Sequence, residues 1–328
     1  MEEYQTRSVE WCIFCKFIVS NIRQNRVTCW VSVKREENKM KKYNTLGELL
    51  ADYRKHNKLS QTDLGALLDV DARTISRWEK NETLIKPEKE KDFVEKLLLP
   101  YQVIRNLNSD NPIAIYYNLK LRTYSFSSIM QKPVSATWYK EDIPFDTYRI
   151  RLISNESDIQ FVEDIQEMNK NPKQINPALI REAAKILPEL NLILKDQSDY
   201  YAGHMTILPL KYDTYLKLRE QEISEGSMTI SDLATNFTGT PLVFYYYSIY
   251  ADSMTNTYYL VNRLLAYFKK KQFKDYIFAG ISYRKAKVEI LKEMGLKVLW
   301  EQPVEEGSDI VSVFLEGNLD MFLFGKTI

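Results

Sequence analysis

Arg73 and Arg77 stand four residues apart in the stretch LSQTDLGALLDVDARTISRWEKNE, residues 59–82. In a helix that spacing is about one turn, so both guanidinium groups share one face. Each is planar, permanently charged and forked, and can make paired hydrogen bonds to a flat base edge or to an oxyanion. Ala72 and Ser76 fall on the same face, whereas Ile75 and Trp78 turn to the opposite side. This is binding chemistry: the stretch offers donors and charge, and no nucleophile paired with a base.

The surrounding sequence must hold that helix up. Residues 44–58, NTLGELLADYRKHNK, place Leu46, Leu49, Leu50 and Tyr53 at helical spacing behind Thr45 as a cap. Ser60 can cap a second helix with Leu64, Leu67 and Leu68 inward. Asp69 and Val70 make a turn, and Asp tolerates the left-handed conformation such turns use. Asp71 caps a third helix running through Lys80, and Gly65 is expected where the third helix crosses the second closely. Pro87 opens a fourth helix, where its missing N–H costs nothing, with Phe93, Leu97 and Leu98 apolar.

Composition sets the wider bounds. A chain of 328 residues accommodates two ordinary domains. Lys and Arg total 45 against 44 Asp and Glu, so no global positive field marks a polyanion partner and any such site must be a local patch. Ten glycines are few beside 22 tyrosines and 14 phenylalanines, which favours packed helices and aromatic strands over glycine-cradled phosphate loops. No run reaches the ~20 apolar residues that cross a bilayer, so no membrane association and a cytoplasmic location are expected. Cys12, Cys15 and Cys29 include one C-x-x-C pair, but no second pair or histidine follows at metal spacing, so no metal site is expected. The apolar runs CIFCKFIVS and VTCWVSV lack a partner, and KREENKM ends at Met40. Residues 1–39 are therefore read as an extension, open between a true N-terminus and a misread start ahead of Met40.

Three short helices with a tight turn between the second and third describe a helix-turn-helix. With LSQTDLGALL, the I-S-R-W-E run and Arg54-Lys55, residues 44–100 resemble the Cro-like or XRE family of phage-repressor-type helix-turn-helix domains. The resemblance implies double-stranded DNA as partner and a homodimer on two half-sites. The third helix would lie in the major groove, with Ala72, Arg73, Ser76 and Arg77 towards base edges and Arg73 and Arg77 suited to guanine O6 and N7. It further implies Gln61, Thr74, Lys80 and Asn81 at phosphates, Trp78 in the core, and Arg54 paired with Glu79 as a structural bridge.

Beyond Pro100, PIAIYY and LRTYSFSSI read as a β-hairpin about Asn118, with Pro133 and Pro144 punctuating a connector. From Phe145 strands and helices alternate: YRIRLI, SDIQFVEDIQEM, PALIREAAKILPEL, GHMTILPL, TYLKLREQEI, PLVFYYYSIYA, TYYLVNRLLAYFKKK, DYIFAGI, RKAKVEILKEM, KVLWEQ and VSVFLEG. This order, with KEMGL at Lys292–Leu296, resembles the GCN5-related N-acetyltransferase (GNAT) fold. The expected chain is multidomain, α then α/β. It comprises an extension (1–39), an all-α helix-turn-helix domain of four to five helices (40–100), a connector with the hairpin (101–144), and a GNAT-like mixed sheet flanked by helices (145–328).

Active members of that family seat acetyl-CoA pyrophosphate on a glycine-containing Q/R-x-x-G-x-G/A turn at a helix start. Here the stretch is ADSMTNTYYLVNR, without glycine. Tyr250, Met254, Thr255, Asn256 and Thr257 are the residues that would meet such a ligand. The family's general-acid tyrosine aligns with Leu291, and no glutamate precedes the turn as base. Tyr247 and Tyr250 are poor bases at neutral pH, since tyrosine ionises near 10. His204 lies on a strand without a placed carboxylate and reads as structural, and Tyr245–Tyr247 alternate faces of a sheet core. The sequence thus points to a DNA-binding transcriptional regulator, in the commoner use a repressor. Its degenerate acetyltransferase-like domain would serve dimerisation or small-molecule sensing, with no catalytic residue and no required cofactor. The alternative is an acetyl-CoA-dependent N-acetyltransferase tethered to DNA.

Overall fold

The computed structural model describes residues 40–127, 149–168, 174–235, 241–283, 285–303 and 311–325, with Ala136 and Tyr139. Residues 1–39, with Cys12, Cys15 and Cys29, and the connector prolines Pro133 and Pro144 lie outside the described residues.

The first helices form where their caps and apolar positions require. Helix α1 (Leu46–His56) starts at Thr45, whose hydroxyl accepts the Glu48 N–H, and buries Leu46, Leu49, Leu50 and Tyr53. Helix α2 (Gln61–Leu68) opens with a reciprocal capping box between Ser60 and Asp63. It ends at Asp69, which takes the left-handed conformation at φ 55°. Leu64 and Leu68 are fully buried, but Leu67 stays 40% exposed and is not part of the inner face. Helix α3 (Ala72–Glu79) is capped by Asp71, whose carboxylate accepts the Thr74 N–H at 2.7 Å. Its Ile75 and Trp78 enter the core, and Trp78 meets Phe93 edge-on.

In the helical half two glycines set close approaches, and the sequence pointed to one of them. A Cβ on Gly65 would lie 2.6 Å from the Val70 carbonyl oxygen, so that glycine makes room for the turn rather than for the body of α3. Gly47 of α1 is tighter: a Cβ there would sit 2.3 Å from the Trp78 carbonyl oxygen, at the end of α3.

Helix α4 (Pro87–Leu97) is followed by α5 (Tyr101–Leu107), which sequence periodicity missed because the helix has only seven residues behind a proline cap. The expected hairpin is present as β2 (Ile115–Asn118) and β3 (Thr123–Ser125), and β1 (Lys41–Tyr43) adds antiparallel to its other side. Val103, Ile104, Leu107, Ile115, Tyr117 and Tyr124 share one core with the helices. The hairpin thus packs against the helical half.

The second half is the expected mixed sheet flanked by helices. Seven strands lie in the order β4 (Ile150–Leu152), β5 (Asn191–Lys195), β6 (Tyr201–Leu210), β7 (Leu242–Ala251), β8 (Tyr276–Ser282), β10 (Val311–Gly317), β9 (Lys297–Pro303). Every neighbouring pair is antiparallel except β7 with β8. One face is covered by α6 (Glu156–Met168), α7 (Pro177–Ile186) and α8 (Tyr212–Arg219). The other is covered by α9 (Met254–Lys271), α10 (Lys285–Glu293) and the short α11 (Asp320–Phe324). Strand β5 went unread because its five residues follow α7 through a 3-10 turn, Pro188–Leu190, and look like the tail of the helix.

Helix α3 is tied to α1 and α2 by an ion pair with little solvent around it. Arg54 donates through Nε and Nη2 to the two oxygens of Glu79 at 2.6 and 3.2 Å, and Gln61 donates to the same carboxylate at 2.8 Å. A carboxylate pulled out of water ionises only if its partners outweigh the lost hydration. These two donors do so, holding Glu79 below its ordinary range against the opposing effect of burial. Arg54→Ala is expected to lower the unfolding free energy by about 3 kcal/mol, the lower end for breaking one side of a buried pair, measured by urea denaturation. A loss below about 1 kcal/mol would class the pair with screened surface bridges.

Candidate nucleic-acid interface

The outward face of α3 carries the residues singled out from sequence. Arg73 and Arg77 are exposed, Ala72 and Ser76 are half-buried beside them, and Ile75 is fully buried beneath. The Arg77 side chain retains 51% of its exposure, with Nε 3.9 Å from Glu82, a distance that a competing partner can easily open. Asp71 is held below the usual carboxylate range, first by its hydrogen bonds with Thr74 and then by the charges of Arg73 and Arg77. The face therefore presents positive charge above an apolar underside.

The flanking residues are more committed to structure. Lys80 is exposed at the C-cap of α3. Thr74 is half-buried and its N–H is used by the Asp71 cap. Gln61 spends its side-chain amide on Glu79. Asn81 has φ 58°, and its side-chain oxygen accepts the Gly47 N–H at 3.3 Å, so it also tethers α1. Spacing alone gave no sign of these second roles, because both partners come from other helices.

In the α/β half, β7 and β8 pair only from Leu242–Tyr276 to Tyr246–Gly280, and β7 then continues to Ala251 paired with β6 alone. At the same point Tyr247 is an extra residue against β6, since Thr206 faces Ser248 while Ile207 faces Tyr246. This bulge puts Ser248 and Tyr250 on the face of His204. His204 is completely buried, with Nδ1 2.5 Å from the Tyr201 hydroxyl and Nε2 2.6 Å from Ser248 Oγ, which also accepts from Gln166. Burial lowers its pKa to about 3, helped by the charge of Lys287, which favours the neutral ring. Burial, with the charge of Glu225, raises the Tyr247 phenol well above its ordinary range. A further group unforeseen from sequence is Glu225, fully buried and accepting from the Tyr245 and Tyr283 hydroxyls at 2.8 Å each.

The start of α9 is where a GNAT-like domain would seat pyrophosphate, and its residues are otherwise engaged. Tyr250 donates its hydroxyl to the Arg122 carbonyl at 2.8 Å. Ser253 caps the helix by accepting the Asn256 N–H, Asn256 donates to the buried Asp252 and accepts from Arg149, and Thr257 donates to the Ser253 carbonyl. Met254 is half-buried and Thr255 exposed. With Tyr124 of β3 bonded to Asp252 and bridged to Ser253 on top of this, the arrangement does not fit an acetyl-CoA pyrophosphate. Among the described residues no group of three or more His, Cys, Asp or Glu could hold a metal ion, and no helix is long and apolar enough to cross a membrane.

Residues 50–90, from α1 into α4, match the helix-turn-helix family model. None of the curated proteins matches the chain. Among solved structures, similarity is found to Arabidopsis thaliana Naa50 in complex with a bisubstrate analogue, at 9% identity over 52% of this chain and 99% of that one, TM-score 0.35. It is found also to Arabidopsis thaliana NAA60 in complex with acetyl-CoA, at 14% identity over 51% of this chain and 97% of that one, TM-score 0.33. A histone acetyltransferase HPA2 and related acetyltransferase from Corynebacterium glutamicum is similar at 12% identity over 51% of this chain and 94% of that one, TM-score 0.28.

Two buried groups give opposing pH dependence. His204, ionising at about 3 when folded, favours the unfolded chain as pH falls from 6.5. Asp252 is raised to about 7, first by burial and also by Asp196, against the hydrogen bonds of Asn256 and Ser253 and the charge of Arg149. It keeps its proton when folded, so its contribution is lost as pH rises from the ordinary 3.8 to about 7. Asp252→Asn removes only the second effect. The stability of the variant relative to the parent is expected to climb with pH, by up to ~1.4 kcal/mol per unit, and to level off above the folded pKa. Denaturant titrations between pH 5 and 8 read this out, and a pH-independent difference would contradict it.

Proposed function

We propose that this chain is a sequence-specific, duplex-DNA-binding transcriptional regulator that acts as a homodimeric repressor in the cytoplasm. The observation that carries the reading is the two-sided character of α3, with Arg73 and Arg77 exposed above a buried Ile75 and Trp78. A helix of this size fills the major groove, and two forks one turn apart reach base edges from it. In this reading Ala72, Arg73, Ser76 and Arg77 meet bases. Lys80 and Thr74 meet phosphates, and Gln61 and Asn81 do so only where their helix-bracing bonds leave donors over. Phosphate contacts fix register and carry no sequence information.

The α/β half serves dimerisation or the sensing of a small molecule, rather than acetyl transfer. What supports this is the engagement of Tyr250, Asn256 and Thr257 in internal bonds, with the buried, neutral His204. A DNA-tethered acetyltransferase would need a polar group free to take a proton beside the strands that diverge after Tyr246. Tyr247, its phenol raised well above the ordinary range there, is not one.

Gel-shift titrations on a selected operator and on random duplex separate the roles. Arg77→Ala is expected to cost about 1–3 kcal/mol on the operator and to relax preference at one base position. Lys80→Ala is expected to weaken both duplexes alike and to reduce the salt slope by about one. Equal losses on both duplexes for Arg77→Ala would remove its base-reading role.

A further inference from the structure

We propose that the hairpin segment Arg122–Ser125 is a built-in occupant of the α9 N-terminus, standing where the fold would otherwise receive a phosphate-bearing ligand, and that it mounts the helix-turn-helix on the sheet. The contact is made by the backbone first. The Tyr124 N–H donates to the Asp252 carbonyl at 2.7 Å, and Tyr124 forms a parallel bridge with Ser253, the cap of α9. Side chains close over it. The Tyr124 side chain is buried, and the Tyr250 hydroxyl donates to the Arg122 carbonyl at 2.8 Å.

The same segment reaches back into the helical half. Arg122 is buried, donates to the Leu97 carbonyl at the end of α4 at 3.0 Å, and sets its guanidinium 5.1 Å from the ring centre of Tyr53 on α1. A last-turn carbonyl has no partner within its own helix, so Arg122 caps α4 with the residue whose own carbonyl is held by β7. Next to Tyr53 is Arg54, which grips Glu79 of α3. A continuous set of bonded and packed groups therefore runs from the start of α9 to the helix that carries Arg73 and Arg77. Tyr101 stacks on Tyr200 at 4.1 Å alongside it, and Gln102 donates to Asp196.

A pyrophosphate at α9 would have to remove the hairpin and strip the Asp252 and Arg122 carbonyls of their donors. Unmade buried bonds of this kind are costly. Acetyl-CoA therefore does not bind, and this end of the α/β half works as a mount for the helix-turn-helix. None of this depends on what α3 contacts, so failure of the DNA reading would leave it standing.

Hydrogen exchange read by mass spectrometry on the full chain tests the proposal. Tyr250→Phe is expected to speed exchange in 122–125 by roughly three- to tenfold, the factor for one net hydrogen bond, while amides of β5 and β6 stay unchanged and certify the fold. Arg122→Gln is expected to speed exchange both there and at the end of α4. Millimolar acetyl-CoA is expected to alter nothing at 253–258. Protection of 253–258 by acetyl-CoA, or unchanged exchange in 122–125 in both variants, would overturn it.

Discussion

A single carboxylate decides how α3 sits. Glu79 keeps 9% of its side-chain exposure and is answered by the fork of Arg54 and the amide of Gln61. A charge in that position has no good alternative partner, so it fixes the azimuth of α3 about its own axis, which apolar contacts from Ile75 and Trp78 alone would set more loosely. With the azimuth fixed, Arg73 and Arg77 cannot rotate into the core. The close approach at Gly47 fixes the other coordinate, depth, because the end of α3 rests against bare α1 backbone. Exposure of the two arginines follows from these two constraints.

The helical half was legible because its signals are local. Thr45, Ser60 and Asp71 cap the residues next to them, and Asp69 takes up the turn within its own segment. What stayed hidden depends on distant partners. Gln61 and Asn81 look like surface polar residues until α3 and α1 are brought to them, and Leu67 follows helical spacing yet faces out because α2 is crossed on one narrow side. Short elements escaped for a related reason: β1, β5 and α5 are too brief for periodicity and exist through pairing or packing.

In the α/β half, strand alternation predicted Tyr245 and Tyr247 on one face and Tyr246 on the other, and this holds. It fails one residue later. The extra residue at Tyr247 keeps Ser248 on the same side, which brings its hydroxyl to His204. A bulge is invisible to a period-two reading, since it is a property of the pair of strands and not of either one. The neutral histidine and the Ser248 hydroxyl satisfy each other, and Tyr201 and Gln166 complete the set. Such a cluster pins register where hydrophobic packing alone would tolerate a slip.

The absence of glycine in 251–258 acquires a different meaning in this setting. Glycine belongs where a ligand must approach backbone closely. Here the approaching partner is the chain's own strand at Tyr124, which meets the Asp252 carbonyl as one strand meets another and needs no bare Cα. Side chains then become assets: Ser253 caps, Asn256 ties Asp252 to Arg149, and Thr257 closes the first turn. Burial pushes the Asp252 carboxyl up to about 7, while the donors of Asn256 and Ser253 pull the other way. A sequence selected to admit phosphate would have placed small residues and lone N–H groups at these positions. This one has filled them with partners for each other.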